Sequence, residues 1–367
     1  MRFLMLNWRD PGNPLAGGAE RVSLGYLAAL VVRGHEVYWF ANSFPGAAPR
    51  AEFEGVKVVR GGGLGTSVFQ AWRWARREAR FDLVIDQHHG IPWFAPWWCG
   101  TTCVAYIHEV LGPIWHSFYA WPLAWLGRFQ ERAVLWGYRR VPFWSACPST
   151  ESALRRVGVR QVNLVPYGVA TEPLPTLLPK QIGCPIRLAV VSRLAPNKRI
   201  DHAIAAVAIL HREGIDVRLN VVGTGEMESA LRDQVRGDAL DDVVTFSGAL
   251  PEEEKDALLA ESHLLLHTSV REGWGLNVIE ANCQGTPAVV YPVPGLIEST
   301  LHEETGLVVG LEEPTALAEG IKRMSSDQEL YQRCREAAWK RGGRFHWDRV
   351  LPGACDWLEH LAAGEAQ

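Results

Sequence analysis

No C-x-x-C pair occurs in these 367 residues, and the seven cysteines are odd in number and scattered. That usage excludes a disulfide framework and a cysteine zinc site, and it fits free thiols in a reducing, cytosolic compartment. Nowhere do 18 or more apolar residues run without a charge or strongly polar group, so no membrane-spanning helix is expected. The opening apolar stretch, Met1 to Asn7, is too short for a secretory leader and reads as a strand. Neither G-x-G-x-x-G nor G-x-x-x-x-G-K-[ST] is present, which argues against a dinucleotide dehydrogenase and a P-loop NTPase. His88, His89 and His108 lack the spacing of metal ligands, and no metal is expected.

What remains is an ordinary enzyme composition, 47% apolar and 21% charged, in a chain too long for one typical core. Net charge is −4, but it is uneven. Residues 1–170 hold 18 basic and 11 acidic side chains, a net +7, which leaves −11 for the rest. A basic first half suits anionic partners such as lipid headgroups or phosphorylated acceptors; it is equally an Arg-rich surface.

Strand-like runs alternate with helical patterns. Phe3–Leu6, Glu36–Phe40, Val56–Val59, Leu83–Asp86 and Cys103–Ile107 read as strands, and Val22, Tyr26 and Leu30 repeat at helical spacing before a Gly34 stop. Three prolines between residues 173 and 179 suggest a stiff linker, after which the rhythm restarts at Ile186–Val191. The expectation is an α/β protein of two Rossmann-like domains, each a parallel sheet with helices on both faces, separated by a cleft. The first spans 1–172 with a terminal helix, 345–367, packing back on it; the second spans 183–344.

Four segments could carry chemistry. In Arg271-Glu272-Gly273-Trp274-Gly275-Leu276-Asn277-Val278-Ile279-Glu280, two carboxylates flank a Gly-x-Gly turn that opens a helix. The glycines allow close approach to a ligand, and the helix start points free N–H groups at it. Ser192-Arg193 to Lys198 follows a strand and can clamp a diphosphate or be a basic surface loop. Gly17-Gly18 opens the first helix and is either an anion site or a tight turn. Tyr106-Ile107-His108 ends a strand, with His108 either facing the cleft or structural.

Taken in order, these segments resemble the family 4 retaining glycosyltransferases of the GT-B fold, of the bacterial cell-surface and exopolysaccharide type. Glu272 and Glu280 match the family's E-x₇-E signature; Gly285-Thr286-Pro287, Pro294-Gly295 and Thr305-Gly306-Leu307 follow in place. The resemblance implies a nucleoside-diphosphate hexose, UDP- or GDP-linked, as donor substrate, and no other cofactor. It implies that Glu272 holds sugar hydroxyls, Glu280 the ribose, and Arg193 and Lys198 the diphosphate. The amides of Gly273, Trp274, Gly275, Leu276 and Asn277 line the sugar and phosphate; Gly248 and Leu250 lie by the base. Gly17, Gly18 and His108 face donor and acceptor from the first domain. Retention implies front-side attack without a metal, with Glu272, His108, Arg193 and Lys198 as the catalytic set. Trp274 and Asn277 depart from the usual Phe and Pro, and Trp274 is expected to alter which sugar fits. A GT-B phosphorylase, a sugar-nucleotide epimerase and a non-catalytic sugar-binding protein are the alternatives.

Eight of the sixteen tryptophans fall between residues 93 and 144, followed by or mixed with Arg128, Arg132, Arg139 and Arg140. Trp with Arg suits a membrane interface, an aromatic acceptor groove or plain core. The expectation is peripheral contact with an anionic membrane at its inner face, a glycan, lipid-linked or small-molecule hydroxyl acceptor, and no nucleic-acid partner.

Overall fold

In a computed structural model, which describes residues 1–63, 65–88 and 90–364, the chain divides into two compact units. One is Met1–Gly168 with Trp347–Gln367, the other Val169–His346.

The first unit is built on eight strands: β1 (Arg2–Leu6), β2 (Glu36–Ala41), β3 (Arg50–Phe53), β4 (Val56–Arg60), β5 (Leu83–His88), β6 (Thr102–Ile107), β7 (Phe143–Ser145) and β8 (Val162–Leu164). Their order is β3-β4-β2-β1-β5-β6-β7-β8, parallel throughout except for the antiparallel β3–β4 hairpin at one edge. The central strands β1 and β5 are buried on both faces, as continuous apolar runs under covering helices must be. The terminal helix, Trp347–Ala362, belongs to this unit. Arg33 holds it through Asp356 at 2.6 Å and Glu359 at 2.8 Å, and Trp347 meets Tyr26 edge-on at 5.3 Å. The expected extension of that helix to residue 367 ends in residues outside the described set.

The second unit holds six strands: β9 (Ile186–Val191), β10 (Val217–Val222), β11 (Val244–Gly248), β12 (Leu264–His267), β13 (Ala288–Val290) and β14 (Gly306–Val308). Their order is β11-β10-β9-β12-β13-β14, all parallel. The winding runs outward from β9 through β10 to β11, then restarts on the other side with β12. Loops leaving β9 and β12 therefore diverge, and the crevice beyond their carboxyl ends is where a doubly wound sheet takes ligands. Leu188, Ala189, Leu265 and Leu266 are wholly buried at the centre of its core.

The stretch expected as a stiff linker is fastened to this second unit. Thr171 donates to Asp256 at 3.1 Å, and the Leu174 amide donates to the Cys283 carbonyl at 3.0 Å. Trp339 and Arg335 donate to the Leu174 and Leu178 carbonyls at 2.8 and 3.1 Å. Prolines remove donors but keep acceptors, so a Pro-rich strap can be held by side chains reaching to its carbonyls. The first unit thus ends at Gly168, short of the expected residue 172.

Candidate active site

Beyond the ends of β9 and β12, two loops are stitched together by their own backbones. The Val270 amide donates to the Asn197 carbonyl at 2.9 Å, and the Thr268 hydroxyl donates to the Lys198 and Arg199 carbonyls at 2.9 and 2.8 Å. Gly223 and Gly225, after β10, press against the first loop. A Cβ on Gly223 would lie 1.9 Å from the Ser192 carbonyl oxygen, and one on Gly225 2.3 Å from that of Leu194. This frame brings Lys198 onto Glu272 as a close ion pair, 74 residues apart in sequence. Both side chains keep a little exposure, 19% and 16%. Arg193, on the same loop, is exposed, and its guanidinium makes no ion pair among the described residues.

Glu272 is fixed from behind. Its amide donates to the Pro294 carbonyl at 3.2 Å, and Gly295 turns with φ +86° so close that a Cβ would lie 2.2 Å from the Glu272 carbonyl oxygen. Burial would raise the Glu272 carboxyl, but the Lys198 ammonium and His267 outweigh it, and its pKa falls below the ordinary carboxylate value. His267, the last residue of β12, sits with Nε2 3.3 Å from Glu272 Oε1. Its burial drives the imidazole pKa down to about 4, so it is neutral near pH 7.

The turn between the two glutamates works as the glycines suggest. Gly275 has φ +87° and caps the helix Leu276–Cys283. Asn277 donates to the Val191 carbonyl at 2.7 Å and lies 3.5 Å from His267 Nδ1, a side-chain tie to β9 that proline could not make. The Trp274 indole is buried against Phe345, ring centroids 5.4 Å apart. Glu280 lies one turn into the helix and is paired with Lys255 at 3.1 Å, not with the Lys198–Glu272 cluster. Gly248 ends β11 with φ +66°, its carbonyl accepting from the Gly223 amide at 2.7 Å, and Leu250 follows two residues on.

The first-unit residues are more enclosed than expected. Gly17 caps the helix Gly18–Val32, but Glu20 turns back and accepts from the Gly17 amide at 2.7 Å. That amide therefore serves the helix. Gln87 Nε2 lies 2.9 Å from His108 Nε2, and His108 Nδ1 makes a close contact with the Tyr167 hydroxyl. Both imidazole nitrogens are engaged by the protein itself. Asp86, fully buried, accepts from the Trp93 and Ala95 amides and the Tyr138 hydroxyl at 2.9, 2.9 and 2.7 Å, and burial lifts its pKa to about 6. Neighbouring His88 is buried against Tyr138 and Phe143, and burial lowers its pKa to about 3. His89 lies outside the described residues. Among the described residues no three His, Cys, Asp or Glu side chains gather as metal ligands do.

The tryptophan-rich segment divides. Trp93 and Trp144 are core, while Trp97, Trp121, Trp125 and Trp136 are 60%, 77%, 59% and 59% exposed. Its helix, Leu123–Gly137, buries little beyond Ala124, Glu131 and Leu135. Glu131 accepts from the Leu111 and Gly112 amides at 2.7 and 2.8 Å and so anchors the preceding loop.

Two residues of the second-unit site escape a reading of the sequence. His267 ends a strand five residues before Glu272, the same signal that marks His108. Lys255 sits in the acidic run Glu252-Glu253-Glu254, which reads as a solvated helix face, and only the fold brings it to Glu280.

Comparison with known proteins supplies the name for this arrangement. The family model described as Glycosyltransferase Family 4 matches residues 16–173, and that described as Glycosyl transferases group 1 matches residues 183–341. The chain belongs to the family 4 glycosyltransferases. It is therefore a glycosyltransferase with the two parallel-sheet domains of the GT-B fold. Glycogen synthase of Mycobacterium tuberculosis (strain H37Rv) is 28% identical over 405 aligned positions, covering 100% of this chain and 96% of that protein. Among solved structures, sucrose-phosphate synthase from Thermosynechococcus elongatus superposes with a TM-score of 0.81 at 21% identity, covering 99% of this chain and 100% of that one. Anabaena HepE in complex with UDP-glucose gives 0.75 at 20% identity, covering 98% and 99%. At these identities the structural likeness speaks for the fold of this glycosyltransferase.

Proposed function

We propose that this glycosyltransferase moves a hexose from a nucleoside-diphosphate sugar to a hydroxyl of a glycan or lipid-linked acceptor, with retention and without a metal ion. The observation that carries the reading is the Lys198–Glu272 pair, with exposed Arg193 on the same loop as Lys198, at the end of the sheet where such folds take ligands. An ammonium has three N–H donors, so Lys198 can keep Glu272 and still bond a phosphate oxygen, while the Arg193 fork takes a second. An ionised Glu272 has lone pairs for sugar hydroxyls. The acceptor oxygen forms a bond to the anomeric carbon on the face that the departing phosphate leaves. The carbon–oxygen bond to the diphosphate breaks with its electron pair, and the acceptor proton passes to a phosphate oxygen. The two cations stabilise the charge that builds on the leaving group. HepE was solved with UDP-glucose, which favours a UDP-sugar as the first donor to test.

Thermal unfolding in the presence of UDP-, GDP-, ADP- and TDP-sugars tests the donor assignment. A ligand that binds only the folded chain raises its midpoint, and one sugar nucleotide should do so without added metal and in EDTA. No shift with any of the four overturns the reading.

The acceptor side includes an anionic membrane surface. Among the described residues no helix is long and apolar enough to cross a bilayer. The helix Leu123–Gly137 nonetheless exposes Leu123, Trp125, Leu126, Phe129 and Trp136 together with Arg128 and Arg132. Arg139 lies 3.8 Å over the Trp136 ring. Aromatics beside arginines suit the headgroup layer. Flotation with phosphatidylglycerol-containing liposomes at low salt should carry the chain upward; absence of binding there removes this part.

A further inference from the structure

We propose that Lys255 is a positioning residue of the nucleotide site: it holds one oxygen of the Glu280 carboxylate so that the other is presented to the ribose hydroxyls of a nucleoside diphosphate. The proposal rests on the ribose role given to Glu280 above.

Lys255 lies in the first turn of the helix Glu252–Glu261, which begins directly after the Gly248-Ala249-Leu250 turn at the end of β11. Its side chain is 7% exposed, and its ammonium sits 3.1 Å from Glu280 Oε2, with Glu252 in close contact and Asp256 at 3.9 Å. Asp256 is in turn held by the Thr171 hydroxyl at 3.1 Å. Three carboxylates thus share one buried ammonium. Without it Glu280 would face Glu252 and Asp256 alone, and like charges would turn it away or protonate it. Burial works against the Lys255 charge, yet Glu280 and Glu252 more than offset this and raise its pKa, so the charge persists.

Geometry also says which oxygen is free. The structure gives Glu280 no hydrogen bond from any described residue besides this ion pair, so Oε1 retains its lone pairs. Lys255 joins the turn at the end of β11 to the helix carrying Glu280, the two places where a base and its ribose would lie. A lysine that merely tied two helices together would need no such free oxygen.

The two roles separate in the preference for ribose over deoxyribose. Dissociation constants for UDP, GDP and their 2′-deoxy counterparts are measured calorimetrically on the full chain and on Lys255→Met, with the unfolding midpoint of each protein taken alone. For the better ribonucleotide, the unchanged chain should bind about tenfold or more tighter than its deoxy form, as expected for hydrogen bonds to a charged acceptor. Lys255→Met should bring that ratio to within about twofold. Lys255→Arg keeps the charge between the helices if the methionine variant does not fold. Its fork takes both Glu280 oxygens and should lower the ratio as well. A folded variant that keeps the tenfold ratio overturns the proposal and leaves Lys255 a tie between helices. If the unchanged chain shows no ratio, the ribose reading of Glu280 fails, and the proposal with it.

Discussion

The two sheets are wound alike, yet the polar groups at their strand ends are used in opposite ways. In the first unit several of them are held by the protein's own groups. Asp10, fully buried, clamps Arg60 at 2.6 and 2.7 Å; Glu20 takes the Gly17 amide; Gln87 and Tyr167 hold His108; three donors converge on Asp86. In the second unit Arg193 is exposed, Lys198 and Glu272 pair without exhausting their bonding capacity, and Glu280 keeps an open oxygen. A completed network rigidifies a scaffold, whereas charges left partly unsatisfied at a sheet's end await a ligand. On the proposed function, the same architecture separates groups that build from groups that bind.

Removing a binding group should be the harshest test of that contrast. Glu272→Ala should lower kcat/KM for transfer at least about a hundredfold, while the unfolding midpoint without ligand moves by no more than about 3 °C. Near-normal turnover would move the donor site elsewhere. His267 gives an intermediate effect. Its folded pKa of about 4 lies below the ordinary histidine value, so between pH 6.5 and 4 the unfolded chain binds the extra proton. Stability is then lost as pH falls through that window. His267→Gln should flatten this slope by up to about 1.4 kcal/mol per pH unit in denaturant titrations; an unchanged slope would show that the imidazole is not buried neutral. Tyr167→Phe should have the smallest effect, about 1 kcal/mol of stability, with nucleoside-diphosphate affinity within about twofold of the starting protein. A tenfold loss of nucleotide affinity there would erase the distinction between the two units.

Much of this was legible in the sequence because the central strands of both sheets are parallel and buried. Ile186–Val191 is a mostly apolar run broken only by Arg187, and the structure gives those same bounds. Short strands were not: Phe143–Ser145, Val162–Leu164 and Gly306–Val308 have three residues each, too few for any period to show. The helix Leu123–Gly137 hid for another reason. It leaves apolar side chains in the open, so the usual contrast between an inner and an outer face is missing. At the site, the Glu272–Glu280 spacing and the Arg193–Lys198 loop could be read directly. Their pairing could not, since Lys255 reaches Glu280, and Glu20 the Gly17 amide, only through folded geometry.

On the proposed function, Gly295 shows how a residue with no side chain sets the position of the carboxylate that would hold the sugar. A methyl group at that position would overlap the main chain behind Glu272, and relieving a 2.2 Å approach demands a displacement of about 1 Å. Such a shift is enough to cost about two orders of magnitude in rate without touching one reacting atom. The least equipped amino acid in the crevice thus sets the tolerance to which the rest is machined.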